Sequence, residues 1–230
     1  MGENVEFPSN GSTAAGYLAP ATEGAGPGIV VLQEWWGLVP QLKRVCDRLS
    51  DEGFTALAPD LYHGDIANHD EMDKAAGLMN TLPPDRAARD MGAAVTYLLG
   101  HESVRGHNVG VVGFCMGGML AWLLAANEGE RIGAVVAYYG APVGENEPEW
   151  SGLTAPVLAH IAENDDFFPP SAVQGLEQKL KTMDKDVTTY VYPKTGHAFG
   201  NEENALGTYD ADAERQAWVR TLEFLRKHLG

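Results

Sequence analysis

Residues 109–120 read Val109-Gly110-Val111-Val112-Gly113-Phe114-Cys115-Met116-Gly117-Gly118-Met119-Leu120. The first half is an apolar run suited to a buried strand, the second half opens a helix, and glycines make the turn between them. Cys115 stands at the apex of a Gly-x-Cys-x-Gly pattern, the nucleophile elbow with sulfur in place of the usual serine oxygen. A side chain lifted onto so tight a turn needs strained backbone angles. Small residues at Gly113 and Gly117 let strand and helix close on each other. The turn also aims the first amides of the new helix at the space above the sulfur, where an oxyanion would form. A free cysteine is more often a packing residue, but the spacing, the strand and the helix together mark Cys115 as the candidate nucleophile.

Outward from this stretch, strands alternate with helices. Val5–Phe7 and Ala14–Leu18 read as short strands around Ser9-Asn10-Gly11. Ile29-Val30-Val31-Leu32 is an unbroken apolar run, as in a strand covered on both faces. A helix follows with the stripe Leu42, Val45, Cys46 and Leu49, and Gly53 stops it. Phe54–Ala58 is a strand, residues 70–80 a short helix, and Pro83-Pro84-Asp85 opens a longer one with Met91, Ala94, Val95 and Leu98 on one face. Beyond the elbow, Ile132–Tyr139, Pro156–Ile161 and Val187–Tyr192 read as strands. Between the last two, Pro169-Pro170-Ser171 starts a helix whose Ser171 and Gln174 are spaced as a capping box. Trp218, Leu222, Leu225 and Leu229 mark a closing helix. This order predicts one α/β domain over residues 1–230, with a mostly parallel central sheet and helices on both faces.

Apolar residues make up 44% and charged residues 21% of the 230, ordinary values for a globular protein with a sizeable core. A net charge of −16 argues against nucleic acid and anionic membranes as partners. No apolar run approaches membrane-spanning length, and Met1-Gly2-Glu3-Asn4 shows no signal-peptide pattern. With two cysteines, Cys46 in a core stripe and Cys115 at the elbow, a disulfide framework is not expected and a reducing, cytoplasmic setting fits. No metal or cofactor is expected, and the chain is read as a monomer or small homo-oligomer.

In open α/β sheets the site lies beyond the carboxyl ends of the strands. Glu34, Cys115, Asp165 or Asp166, and His197 occupy such ends or the loops leaving them. The order nucleophile, acid, histidine is that of the α/β-hydrolases. Gly196 lets a loop carry the His197 imidazole back over the elbow. An acid there accepts the imidazole N–H and stabilises the imidazolium formed during turnover. His63, His69, His101, His107, His160 and His228 lack this context and read as ordinary surface or core residues. A free thiol, with a pKa of about 8.5, is mostly protonated at neutral pH. A carboxylate such as Glu34 near the sulfur would take its proton or hold it neutral until substrate arrives. Otherwise Glu34 is simply a polar residue at a strand end.

Five stretches resemble the dienelactone hydrolase family, a cysteine branch of the α/β-hydrolases. They are Gln33-Glu34-Trp35-Trp36-Gly37, Gly113-Phe114-Cys115-Met116-Gly117-Gly118, Tyr138-Tyr139-Gly140, Asp165-Asp166-Phe167-Phe168-Pro169 and Gly196-His197-Ala198-Phe199. The resemblance implies an α/β-hydrolase fold without a large cap domain and a Cys115–His197–Asp165 triad, choosing Asp165 over Asp166. It also implies that Glu34 switches the thiol on and that the amides of Trp35 and Met116 hold the oxyanion. Dienelactone-cleaving members of the family bind the substrate carboxylate with two arginines. Here the corresponding positions fall in Gly200-Asn201-Glu202-Glu203 and in residues 70–80, whose one cation is Lys74. Two acids in place of a charge-assisted partner repel a carboxylate. Trp35, Trp36, Tyr62 and Phe199 either line an apolar pocket or pack the core. The expectation is therefore a hydrolase of small, neutral carboxylic esters or lactones. Three alternatives remain: a true carboxymethylenebutenolidase acting on an anionic lactone, a non-catalytic ligand-binding protein of this fold, and a redox-sensing thiol at Cys115.

Overall fold

The computed structural model describes residues 2–144 and 147–230. Met1, at the head of the N-terminal stretch read above, lies outside them. Eight strands make a mostly parallel sheet accompanied by helices, the α/β-hydrolase architecture. The chain divides into two compact units, Met1–Gly110 and Val111–Gly230.

In the first unit β1 (Glu3–Ser9) and β2 (Ser12–Ala19) form an antiparallel hairpin. Its two-residue turn places Asn10 and Gly11 at φ 41° and 86°, as the tightest hairpins require. β2 pairs antiparallel with β4 (Thr55–Pro59), which pairs parallel with β3 (Gly28–Leu32). Every residue of β3 and β4 is buried, which explains their unbroken apolar reading. α1 (Pro40–Asp51) buries the expected stripe of Leu42, Val45, Cys46 and Leu49, and Gly53 follows it at φ 88°. Cys46 is fully buried and its burial pushes the thiol well above the ordinary range, so it is a small core residue. α2 (Met72–Thr81) and α3 (Pro84–Leu99) follow, and α3 buries Met91, Ala94, Val95 and Leu98.

β5 (Val109–Phe114) leads into the second unit and delivers the chain to α4 (Met116–Glu128). β6 (Ile132–Tyr138), β7 (Val157–Asn164) and β8 (Val187–Gly196) then pair in parallel order. α5 (Pro170–Lys181) packs on β8 and β7, and α6 (Ala211–Leu229) on β6 and β7.

Element ends shift by up to three residues, as where β7 reaches Asn164 rather than Ile161, and three larger differences follow. β8 runs four residues past Tyr192, through Pro193 to Gly196. It is the last strand in the sheet order, where a proline's missing N–H costs no ladder bond. The Ser171–Gln174 capping box does not form. Pro169 is the cap residue of α5 and makes no side-chain cap bond, and Pro170 occupies the first turn. Proline's preset φ starts that helix instead. The inner face of α6 is Ala213, Ala217, Thr221, Leu222 and Leu225, with Trp218 and Leu229 only half-buried. Small residues spaced four apart bring that helix close against the sheet.

Candidate active site

The site is built where β5, β6, β7 and β8 end. Cys115 follows β5 directly, with φ 54° and ψ −117°, and Met116 is the first residue of α4. A non-glycine residue at such angles is strained and persists only where its surroundings impose it. Those surroundings are backbone. A Cβ on Gly113 would stand 2.0 Å from the Gly117 carbonyl oxygen, and one on Gly140 would stand 2.1 Å from that of Cys115. The Cys115 N–H donates to the Tyr138 carbonyl at 3.0 Å, and the Cys115 carbonyl accepts the Met119 N–H at 3.1 Å. The elbow is thus clamped between the first turn of α4 and the end of β6.

The candidate acid and base meet through strand register. Asn164 and Gly196 are partners at the ends of the parallel pair β7 and β8, beyond a register shift at Ala162/Asn164. Asp165 and His197 are the next residue on each strand. Asp165 Oδ2 lies 2.9 Å from His197 Nδ1, and both side chains are buried. Asp165 Oδ1 accepts the N–H groups of Phe167 and Phe168 at 3.0 and 2.9 Å. One oxygen therefore fixes the carboxylate and the other is directed at the imidazole. This orients a carboxylate toward the Nδ1–H tautomer, leaving Nε2 as the basic nitrogen. Asp166, the other acid weighed for this role, is exposed.

Aromatic rings hold the imidazole in place. Phe167, Tyr139 and Phe168 lie 4.7, 5.3 and 5.9 Å from His197, centroid to centroid. The Thr208 hydroxyl donates to the His197 carbonyl. Tyr139 sits at φ 37° and donates its N–H to the His160 carbonyl at 2.7 Å. The short turn Tyr138-Tyr139-Gly140 therefore touches the elbow through main chain and His197 through a ring. No local sequence pattern assigns this turn a task. Its only signal was a glycine immediately after two aromatics at a strand end. Phe199 is fully buried between Tyr139 and Tyr192, at 5.5 and 4.8 Å.

The remaining candidates belong to the first unit. Glu34 follows β3 by two residues and is buried. The side-chain carbonyl of Gln33 beside it accepts the Leu61 N–H at 3.1 Å. Trp35 and Trp36 meet edge to face at 5.0 Å, and Trp36, which is buried, also meets the His69 ring at 4.9 Å. Tyr62 is buried after β4, its N–H donating to Asp60 Oδ1 at 3.1 Å. Among the described residues no group of three or more histidine, cysteine, aspartate or glutamate side chains is arranged to hold a metal ion. No helix there is long and apolar enough to cross a membrane.

Residues 14–229 match the model of the dienelactone hydrolase family. The chain belongs to that family. A protein of Aquifex aeolicus (strain VF5) named “Putative carboxymethylenebutenolidase” is 34% identical over 233 residues, covering all of both chains. “Protein usf” of Aquifex pyrophilus is 35% identical over 235 residues, again with full coverage of both. Among solved structures, a “Putative Dienelactone Hydrolase” from Klebsiella pneumoniae subsp. pneumoniae MGH 78578 superposes with a TM-score of 0.85 at 28% identity, covering 99% of this chain and 98% of that one. The chain is accordingly a dienelactone hydrolase-like enzyme, a hydrolase acting on a small molecule.

Proposed function

We propose that the enzyme hydrolyses small, neutral carboxylic esters or lactones through an acyl-thioester on Cys115. The observation that carries this reading is the buried 2.9 Å pair of His197 and Asp165, in the same unit as a strained cysteine elbow. A binding protein has no need of a histidine oriented by a carboxylate that is itself held by two amides.

In the proposed cycle the Cys115 sulfur attacks the carbonyl carbon as its proton passes to His197. The amide of Met116, at the start of α4, and by resemblance that of Trp35 hold the oxyanion. His197 hands that proton to the departing alcohol oxygen, then takes one from water as that water attacks the thioester, and returns it to the Cys115 sulfur as the acid leaves. Asp165 holds the imidazole and balances its transient charge. By resemblance Glu34 readies the thiol. Loss of one oxyanion donor in such sites costs about 10²–10³ in turnover.

A second reading, cleavage of an anionic dienelactone, is favoured by the names of the relatives. Against it, the residues soon after His197 include Glu202 and Glu203, both exposed, which disfavour a carboxylate. The deciding experiment compares kcat/KM on p-nitrophenyl acetate and on cis-dienelactone, with Cys115→Ala as control. The expected result is preference for the neutral ester and an inactive variant. Preference for dienelactone would transfer the enzyme to the second reading. Full activity of Cys115→Ala on both would remove the thiol from the mechanism.

A further inference from the structure

Phe167 is 60% exposed, more than any other large hydrophobic residue in the described chain. Its ring nonetheless lies against the His197 imidazole at 4.7 Å. Its backbone is not loose, because its N–H donates to the same Asp165 carboxylate that orients His197. An apolar ring therefore stands largely in water beside the candidate base. Contact with the imidazole uses only part of the ring, and the N–H bond to Asp165 does not depend on the side chain.

We infer that Phe167 contacts the substrate and selects the alcohol half of the ester. This rests on the triad reading above. His197 must reach the ester oxygen to protonate the departing alcohol, so whatever that oxygen carries emerges beside the imidazole. Of the three rings beside the imidazole, Phe167 is the nearest and the most exposed. The acyl half stays bonded to Cys115 and points away from the protonating nitrogen. Covering the ring with an apolar alcohol removes surface of both from water. Phe167 thus favours phenyl, benzyl and longer alkyl esters over methyl esters, and the preference acts on bond cleavage to the alcohol, not on hydrolysis of the thioester that follows.

The test measures kcat/KM for methyl acetate and benzyl acetate with the wild-type enzyme, Phe167→Ala and Phe167→Leu. The p-nitrophenyl acetate and butyrate pair reports on the acyl side. The benzyl-to-methyl ratio is expected to fall about tenfold in Phe167→Ala, the scale of a modest change in a hydrophobic contact. It should fall less in Phe167→Leu, while the butyrate-to-acetate ratio stays within twofold. An unchanged benzyl-to-methyl ratio overturns the inference, as does an equal fall in both ratios. Cys115→Ala assayed on benzyl acetate separates the two levels. If that variant is dead and the ratios do not move, the triad reading stands and the role of Phe167 falls. If that variant is active, the triad reading itself falls. Phe167 is mostly in solvent, so its truncation opens no core cavity, and Phe167→Leu controls for any loss of apolar cover.

Discussion

The Tyr138 carbonyl accepts the Cys115 N–H at 3.0 Å, so the end of β6 and the elbow move as one. The next residue, Tyr139, lays its ring on His197, and Gly140 presses its α-carbon against the Cys115 carbonyl. Three consecutive residues thus touch both the candidate nucleophile and the candidate base.

Gly140→Ala is expected to injure both stability and activity. The new methyl would stand 2.1 Å from the Cys115 oxygen and 2.8 Å from the Met119 nitrogen, and backbone atoms cannot rotate away. Overpacking of this kind costs about 1–3 kcal/mol, seen as a lower urea midpoint together with loss of esterase activity. Gly175→Ala is the opposite case. Gly175 is exposed in α5 with nothing within 4 Å of a new Cβ, so the substitution should stabilise by about 0.5–1 kcal/mol and raise the melting temperature.

Asp165→Asn keeps an oxygen for the Phe167 and Phe168 amides but turns an N–H toward His197. A wrong tautomer in a triad lowers turnover by about 10⁴. The expected outcome is such a loss in kcat on p-nitrophenyl acetate with an unchanged circular dichroism spectrum. A loss of less than tenfold would dismiss Asp165 as the orienting acid.

The two thiols should separate cleanly under alkylation of the native protein. Cys46 is fully buried with its thiol pushed up, whereas Cys115 is half-buried at the elbow. One iodoacetamide adduct is expected, on the peptide containing Cys115, with activity lost in parallel. Modification of Cys115 no faster than an ordinary thiol would favour a binding protein. A sulfenic acid or disulfide formed under mild peroxide while esterase activity is absent would favour a sensor.

His160 predicts an acid limb of stability. Burial lowers its pKa to about 3, against about 6.5 in an unfolded chain. Its Nδ1 faces the Tyr192 hydroxyl at 2.9 Å and its Nε2 the Thr221 hydroxyl at 3.1 Å. Arg220, which can only donate, gives a hydrogen bond to the Tyr192 oxygen, so the Tyr192 proton points to Nδ1 and the ring proton sits on Nε2. Between the two pKa values the unfolded chain binds a proton that the fold refuses. This contribution is therefore complete above pH 6.5 and lost as pH falls, at up to about 1.4 kcal/mol per unit. Urea midpoints at pH 7, 6 and 5 should fall more steeply in the wild type than in His160→Gln. Parallel slopes would contradict the assignment.

The strands, the helices and the order of site residues were legible because each has a local signature. β3 and β4 are apolar throughout, α1 carries its stripe at helical spacing, and the elbow needs glycine at fixed offsets. What was not legible depends on pairing between distant segments. No local pattern shows that Asn164 and Gly196 share a register, yet that pairing sets Asp165 beside His197. Spacing did not separate Asp165 from Asp166; in the structure Asp165 lies 2.9 Å from His197 while Asp166 is exposed. The extension of β8 through Pro193 was hidden because edge position is a property of the whole sheet.

The elbow is held by carbonyls, amides and glycines, none of which senses the element its apex side chain bears. Cys115→Ser would leave every one of those contacts standing. A serine elbow is thus a single-nucleotide neighbour of this one in sequence space, and what changes at that codon is one atom, soft sulfur or hard oxygen, on an unaltered frame.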